Sequence, residues 1–517
     1  MSALDTLARA WTSGRRLPSP EAAAGAGTGD AAGGTGLRRG LGRLDLTAMG
    51  VATIVGSGIF VMTGVAAATK AGPAITLSFA LAGSICLLVA LCYGELAAMV
   101  PVSGSAYTYT YATVGELPAF LVGWNLLLEF VVAGAAVAIG WSGMFRALLD
   151  SLFGASLPDA ISAGPSAGGV VDLPAVLIVA VVVAVLAGEV RLTARLTTVL
   201  VAVTLGVLLT VVVVGGAHVD PGNWTPFAPF GAHGVVSGAA LAFFAFLGFD
   251  VVATSAEESR RPSRDLPFAI IATVGIATVL YVLVSGVLTG VAPFASLNNE
   301  APVATAFRAF HAGWIGDVVL AGSLVALTKG LLMVVYGQSR LVFAICRDGL
   351  LPPALARTTR TGAPLRATVL LGVVAALIAG LVPIDVVAEL VNIGGLFAFA
   401  VVSAGVLVLR GVEPDRARPF RTPWVPVVPL LALAGCVLLA TTLAGLTWAR
   451  FAAWVVVGLA LYAVYGRRHS RLAGAVPPGR DAPEAPLDEA PASGAPFVGT
   501  PAAAPAAAET VSEGSDS

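Results

Sequence analysis

ATIVGSGIFV, residues 52–61, is an apolar stretch interrupted at its middle by two glycines flanking a serine. It lies within a longer hydrophobic run, 44–68. Its counterpart is FFAFLGFD, residues 243–250, where Gly248 and Asp250 interrupt the run 235–256. Runs of roughly 20 apolar residues have the length at which a helix crosses the hydrocarbon core of a bilayer. Lipid offers the backbone no water to bond to, so a run this long is read as a helix. A single glycine in such a helix often does no more than let neighbours pack closely. Here each interruption opens a possible five-helix half of the chain, and the second is followed by a charge. Gly-interrupted segments at corresponding positions of two halves point to a central binding site between them.

The rest of the chain has the same character. Of its 517 residues, 57% are hydrophobic and only 11% charged, with a mean hydropathy of +0.90. Soluble domains carry about 25% charged residues, so lipid must cover much of this surface. Twelve runs qualify as spans: 44–68, 74–99, 116–149, 173–189, 194–216, 235–256, 267–291, 317–346, 367–387, 391–410, 424–446 and 450–466. The expected fold class is therefore all-α and polytopic, with twelve transmembrane helices. A net charge of −1 argues against a nucleic-acid partner. Cys86, Cys92, Cys346 and Cys436 lie in or beside apolar runs, and their spacing suggests neither a disulfide framework nor a metal site. The first 40 residues lack the continuous apolar core of a signal peptide.

Basic residues favour the cytoplasmic side of a membrane. With the N-terminus inside, 24 of the 29 Lys and Arg fall on cytoplasmic segments. Among them are Arg38, Arg39 and Arg43, the cluster Arg260, Arg261 and Arg264, and the stretch from Arg340 to Arg366. Lys70, Arg146, Arg308 and Arg450 fall outside, and Lys329 belongs to neither side. Both termini are thus expected in the cytoplasm of a cell carrying this protein in its cytoplasmic membrane. Residues 1–38 and 472–517 are rich in Ala, Gly, Pro, Ser and acidic residues and cannot bury a core, so the segments 1–40 and 467–517 are predicted to be disordered tails.

Unwinding a helix at mid-membrane frees N–H groups at one half-helix and C=O groups at the other. The N–H groups, at a positive dipole end, suit a carboxylate, and the carbonyls suit an ammonium. An amino acid zwitterion fits between two such breaks without a charged side chain. Charges within spans are costly and are functional candidates by default. Glu95 and Glu189 sit near span ends within reach of water and read as structural, while Glu257 and Glu258 are expected to pair with Arg260 or Arg261. Glu129 and Asp250 lie deeper, and each reads equally as a packed acid, a capping group or a member of a proton relay. Lys329 lies about 18 Å along its helix from Asp317, too far in for its ammonium to reach an interface. It reads either as a group that binds and releases a coupling proton or as a fixed charge neutralising Glu129 or Asp250.

Four stretches carry a family resemblance: VGSGIFVMTG (55–64), CYGELAAMVPVSGSAYTYTYATVGELPAFLVGWNLLLEF (92–130), FFAFLGFDVVATSAEESRRPSRDLP (243–267) and GQSRLVFAICRDGLLP (337–352). With them the chain resembles the amino acid–polyamine–organocation (APC) superfamily, and within it the cationic amino acid transporter family, over about residues 40–466. The resemblance implies a LeuT-like five-plus-five inverted repeat, residues 41–217 and 218–411, with two peripheral helices in 412–466. It implies amino acid transport by alternating access, with the α-carboxylate on Gly56, Ser57 and Gly58. The α-ammonium would meet carbonyls of Ile54, Phe244, Ala245 and Leu247, under the ring of Phe244 as a gate. Bacterial members commonly place a lysine in the fifth helix, where this chain has Thr204. Lys329, in the eighth, then becomes the candidate for proton coupling, bridging helices 1 and 8. No cofactor beyond a coupling proton is implied.

GPSAG, residues 164–168, matches a nucleophile-elbow pattern but lies in a Gly/Ser/Ala loop, so an enzyme is not expected. A uniporter or exchanger without proton coupling, and a non-transporting amino acid sensor, fit the same residues. Cationic and small neutral amino acids are both open as substrates.

Overall fold

The computed structural model describes residues 40–56, 58–101, 105–187, 194–299, 301–308, 313–356 and 364–470. The greater part of both tails, together with Ser57, Glu189, Arg38 and Arg39, lies outside these residues.

Helices occupy all twelve apolar runs. They are α1 (Arg43–Ile54), α2 (Ile75–Met99), α3 (Glu116–Phe153), α4 (Leu173–Ala187), α5 (Ala194–Gly216) and α6 (Gly231–Ala242). Then follow α7 (Pro262–Val291), α8 (Gly313–Arg347), α9 (Leu365–Leu381), α10 (Ile384–Val412), α11 (Val427–Thr441) and α12 (Gly445–Leu461). The 25 residues of α2 rise about 37 Å at 1.5 Å each, enough to cross a bilayer. Among the described residues eight helical segments are long and apolar enough to do so, and three shorter apolar helices, α4, α9 and α11, accompany them. This is a multi-pass helical membrane protein. A short helix that the apolar runs did not announce, Ser105–Thr113, joins α2 to α3. Ser166 of the GPSAG loop sits in an exposed 3₁₀ turn, Pro165–Ala167.

Burial sorts the helices into an inner and an outer set. The second half of α6, from Ser237, and the middle of α3 are largely enclosed, and α1 packs on α7. Leu177 and Val181 of α4, Leu370 and Val373 of α9, Leu430 and Val437 of α11, and Val456 and Val457 of α12 are exposed, as lipid-facing positions would be. α12 is fastened to α3 by a reciprocal tryptophan pair. The rings of Trp124 and Trp454 stack with centroids 4.3 Å apart, and each indole N–H donates to the other's backbone carbonyl, at 2.9 and 3.1 Å.

Glu95, 1% exposed near the end of α2, is the anchor of one face. Arg410 of α10 grips both its oxygens, at 2.9 and 2.8 Å, and Arg418 Nε lies 3.2 Å from Oε1. The Thr422 N–H donates to Oε2 at 2.7 Å, so the connection from α10 to α11 is folded back onto α2. That agrees with a structural role for Glu95, although its carboxylate is enclosed by these partners and not, as expected, within reach of water. Glu258 departs from expectation. Its partner is Arg340 of α8 at 2.9 Å, neither Arg260 nor Arg261, because Arg260 turns away to donate to the Gly40 carbonyl. The Glu257 side chain lies outside the description.

Removing one member of a buried ionic cluster leaves the others uncompensated, at about 3–5 kcal/mol. Glu95→Ala, which abandons Arg410 and the buried Arg418 together, is expected to destabilise the protein by that amount in a detergent melt. Glu413→Ala, which loses only the half-exposed pair with Arg416, is expected to leave the melting temperature within a degree or two.

Candidate functional site

The two interrupted runs unwind and cross. α1 ends at Ile54, where Val55 turns extended (φ −73°, ψ 100°) and its N–H bonds back to the Val51 carbonyl. Helix resumes at Gly58 in wide π turns, Gly58–Met62, and the Phe60 N–H reaches the Gly56 carbonyl at 3.4 Å. In the second break α6 tightens into a 3₁₀ turn, Phe243–Phe246, and Leu247 is extended (φ −63°, ψ 140°). Gly248 then takes φ +105° before the short helix Val251–Thr254. Only glycine adopts that backbone without strain.

Gly58 is where the breaks touch. A Cβ there would lie 2.3 Å from the Ala245 Cα, a backbone atom that cannot step aside. The glycine therefore lets the two unwound segments meet, which is a different task from leaving room for a carboxylate alone. At Gly56 a Cβ would come no closer than 4.0 Å to the nearest atom, the Ile54 carbonyl oxygen. Ser57, between them, is outside the described residues.

Two of the four expected carbonyls, those of Ile54 and Ala245, share an unexpected partner. The Tyr281 hydroxyl of α7 stands 3.0 Å from the Ile54 oxygen and 2.9 Å from the Ala245 oxygen. The Phe244 carbonyl takes a long bond, 3.4 Å, from the Leu247 N–H. Phe244 is buried and Leu247 half-buried. Tyr281 was missed because one tyrosine in the apolar run 267–291 gives no sign of where its hydroxyl ends.

Asp250 and Glu129 are both enclosed, at 0% and 2% exposure. Asp250 Oδ2 accepts from Ser105 Oγ at 3.0 Å, and Ser105 adopts a left-handed φ of +53° in presenting its hydroxyl. Glu129 Oε2 has no hydrogen-bond partner among the described residues and faces Gly395 of α10. The hydroxyls of Tyr93 and Tyr109 are also without a hydrogen bond among those residues.

Lys329 is 1% exposed in α8, and its Nζ lies 3.4 Å from Thr204 Oγ1 of α5. Thr204 gives its own hydrogen to the Leu200 carbonyl at 2.8 Å, leaving a lone pair for the ammonium. The described contact thus joins α5 to α8, where a bridge from α8 to α1 was expected. Neither Glu129 nor Asp250 forms an ion pair with it among the described residues.

Two unwound helices crossing in the centre of a multi-pass helical protein define a permease-like architecture. The family model for amino acid permeases matches residues 41–462. The chain is 43% identical over 442 residues to a branched-chain amino acid permease of Bacillus subtilis (strain 168), covering 84% of this chain and 95% of that one. A methylthioribose transporter from the same organism matches at 43% over 439 residues, with the same coverage. Human cationic amino acid transporter 4 matches at 39% over 387 residues, 73% of this chain and 60% of that protein. The chain belongs to the amino acid permease family of the APC superfamily.

Forcing a side chain into a packed contact costs about 1–3 kcal/mol, more where the obstacle is backbone. Gly58→Ala should therefore lower the melting temperature by several degrees and abolish ligand-induced stabilisation. Gly56→Ala should melt as wild type does, so that any loss of ligand binding in that variant reports on the ligand alone.

Proposed function

We propose that the protein is a secondary active amino acid transporter that works by alternating access. Twelve membrane spans are arranged as a five-plus-five inverted repeat, residues 41–217 and 218–411, plus two peripheral helices, with both tails in the cytoplasm. The observation that carries this reading is the contact of the two breaks at Gly58 and Ala245, which sets the end of α1 and the 3₁₀ turn of α6 side by side where their helices are interrupted. The α-carboxylate is held at Gly56, Ser57 and Gly58. The α-ammonium is held by the carbonyls of Ile54, Phe244, Ala245 and Leu247, with Phe244 as the gate over them. Such a site reads only the groups on the α-carbon. The relatives' names do not choose a side chain, since one at 43% identity is named for branched-chain amino acids and another for methylthioribose. Cationic and small neutral amino acids remain the proposed substrates, with Glu129 and Asp250 as acids available to a basic side chain or to a proton.

Proton coupling is assigned to Lys329. An ammonium enclosed between α5 and α8, whose contact among the described residues is a long one to Thr204, is held loosely enough to exchange its proton when the site opens. Holding or losing that proton changes the tie between two helices and so biases which way the carrier faces. In proteoliposomes, Lys329→Ala should retain exchange of bound amino acid and lose its stimulation by an inward proton gradient, and Thr204→Lys added to it should restore part of that stimulation. Gradient-driven accumulation at the wild-type level in Lys329→Ala removes Lys329 from coupling. Absence of proton dependence in the wild type makes the protein a uniporter or exchanger, and absence of any uptake makes it a sensor.

Orientation has its own test. Single cysteines at positions 166 and 296, in exposed connections, should react with a membrane-impermeant maleimide in intact cells. Reaction only after permeabilisation would reverse the topology.

A further inference from the structure

Tyr281 lies in the middle of α7 with no exposed surface. Its ring is set edge-on against Phe79 of α2, with centroids 5.5 Å apart at 61°, and against Phe246 of the 3₁₀ turn, 5.2 Å apart at 66°. Two such contacts leave the ring little freedom, so its hydroxyl points one way. It points at the Ile54 and Ala245 carbonyl oxygens, 3.0 and 2.9 Å away.

A phenol carries one hydrogen, and a carbonyl oxygen has two lone pairs. Two acceptors therefore compete for one donor, which can fill only one of their four lone pairs at a time. Unmet buried acceptors are costly, so the arrangement favours a further donor. A primary ammonium, with three hydrogens and a positive charge, is the complementary group. The contact of Gly58 with Ala245 brings the breaks close but is steric and carries no direction. Tyr281 supplies the direction.

We propose that Tyr281 is the positioning residue for the α-ammonium of the bound amino acid. Its hydroxyl ties the end of α1 to the 3₁₀ turn of α6 and holds the Ile54 and Ala245 carbonyls at one spacing. In consequence the end of α1, the turn of α6 and the middle of α7 move as one body. The inference rests on the proposed function, in that an amino acid must occupy the breaks.

The test is a cycle between protein and ligand, which isolates one interaction from general damage. Dissociation constants of the purified protein are measured for L-alanine, L-leucine, L-arginine and their N-methyl derivatives, which have one ammonium hydrogen fewer. In wild type, N-methylation should weaken whichever parent binds by at least tenfold. Tyr281→Phe should weaken the parent about tenfold and the N-methyl form much less, so the penalty for methylation falls to about threefold or below. An unchanged methylation penalty in Tyr281→Phe, whether affinity is kept or lost equally for both ligands, overturns the proposal. Should Tyr281→Phe fail to fold, Phe79→Leu keeps the hydroxyl and frees the ring. It should narrow the same penalty about twofold, and a penalty equal to wild type overturns the proposal there too. A wild type that binds no parent amino acid, or is indifferent to N-methylation, refutes the ammonium site itself and this inference with it.

Discussion

A peptide group at mid-membrane has no water to turn to, and this constraint accounts for most of what surrounds the two breaks. Interrupting a helix there releases N–H and C=O groups that must be met by protein or by a ligand. Part of the demand is met locally, by the bonds from Val55 to Val51, Phe60 to Gly56 and Leu247 to Phe244. Part is met from outside, by the Tyr281 hydroxyl. The backbone conformations follow from the same need. Gly248 can hold φ +105° and Gly58 can lie flush on Ala245 because neither has a Cβ. Without those two residues the unwound segments could not approach as closely as they do.

The enclosed charges show a gradation in how fully they are met. Glu95 is surrounded by two arginines and a backbone N–H. Glu258 has Arg340, and Asp250 has Ser105 on Oδ2 with no hydrogen-bond partner for Oδ1 among the described residues. Glu129 has one oxygen with no partner among the described residues, and Lys329 has a threonine oxygen at 3.4 Å. A charge satisfied on every side is a fastening, and changing its state unfolds something. A charge met weakly can change state without loss of structure, which is what coupling or ligand recognition requires. The gradation thus separates Glu95 from Lys329, although both sit in apolar helices and both are almost fully enclosed.

The sequence by itself determined the helices and where they break. Apolar runs near 20 residues admit one structure in lipid, and Gly56-Ser57-Gly58 and Gly248 mark the interruptions from local composition alone. Through the resemblance it also singles out Thr204 and Lys329, which stand 3.4 Å apart. Glu258 pairs with Arg340 and not with its sequence neighbours Arg260 and Arg261, because nearness along the chain does not fix which way the carboxylate points once Ser259 turns extended. Only the tertiary structure decided that Gly58 meets Ala245, that Tyr281 reaches both carbonyls, and that Ser105 reaches Asp250. Each of those contacts joins residues more than 30 positions apart. Their meeting depends on how whole helices pack, and a helix's own residues set its length and apolar faces but leave open which side chain of a distant helix will face them.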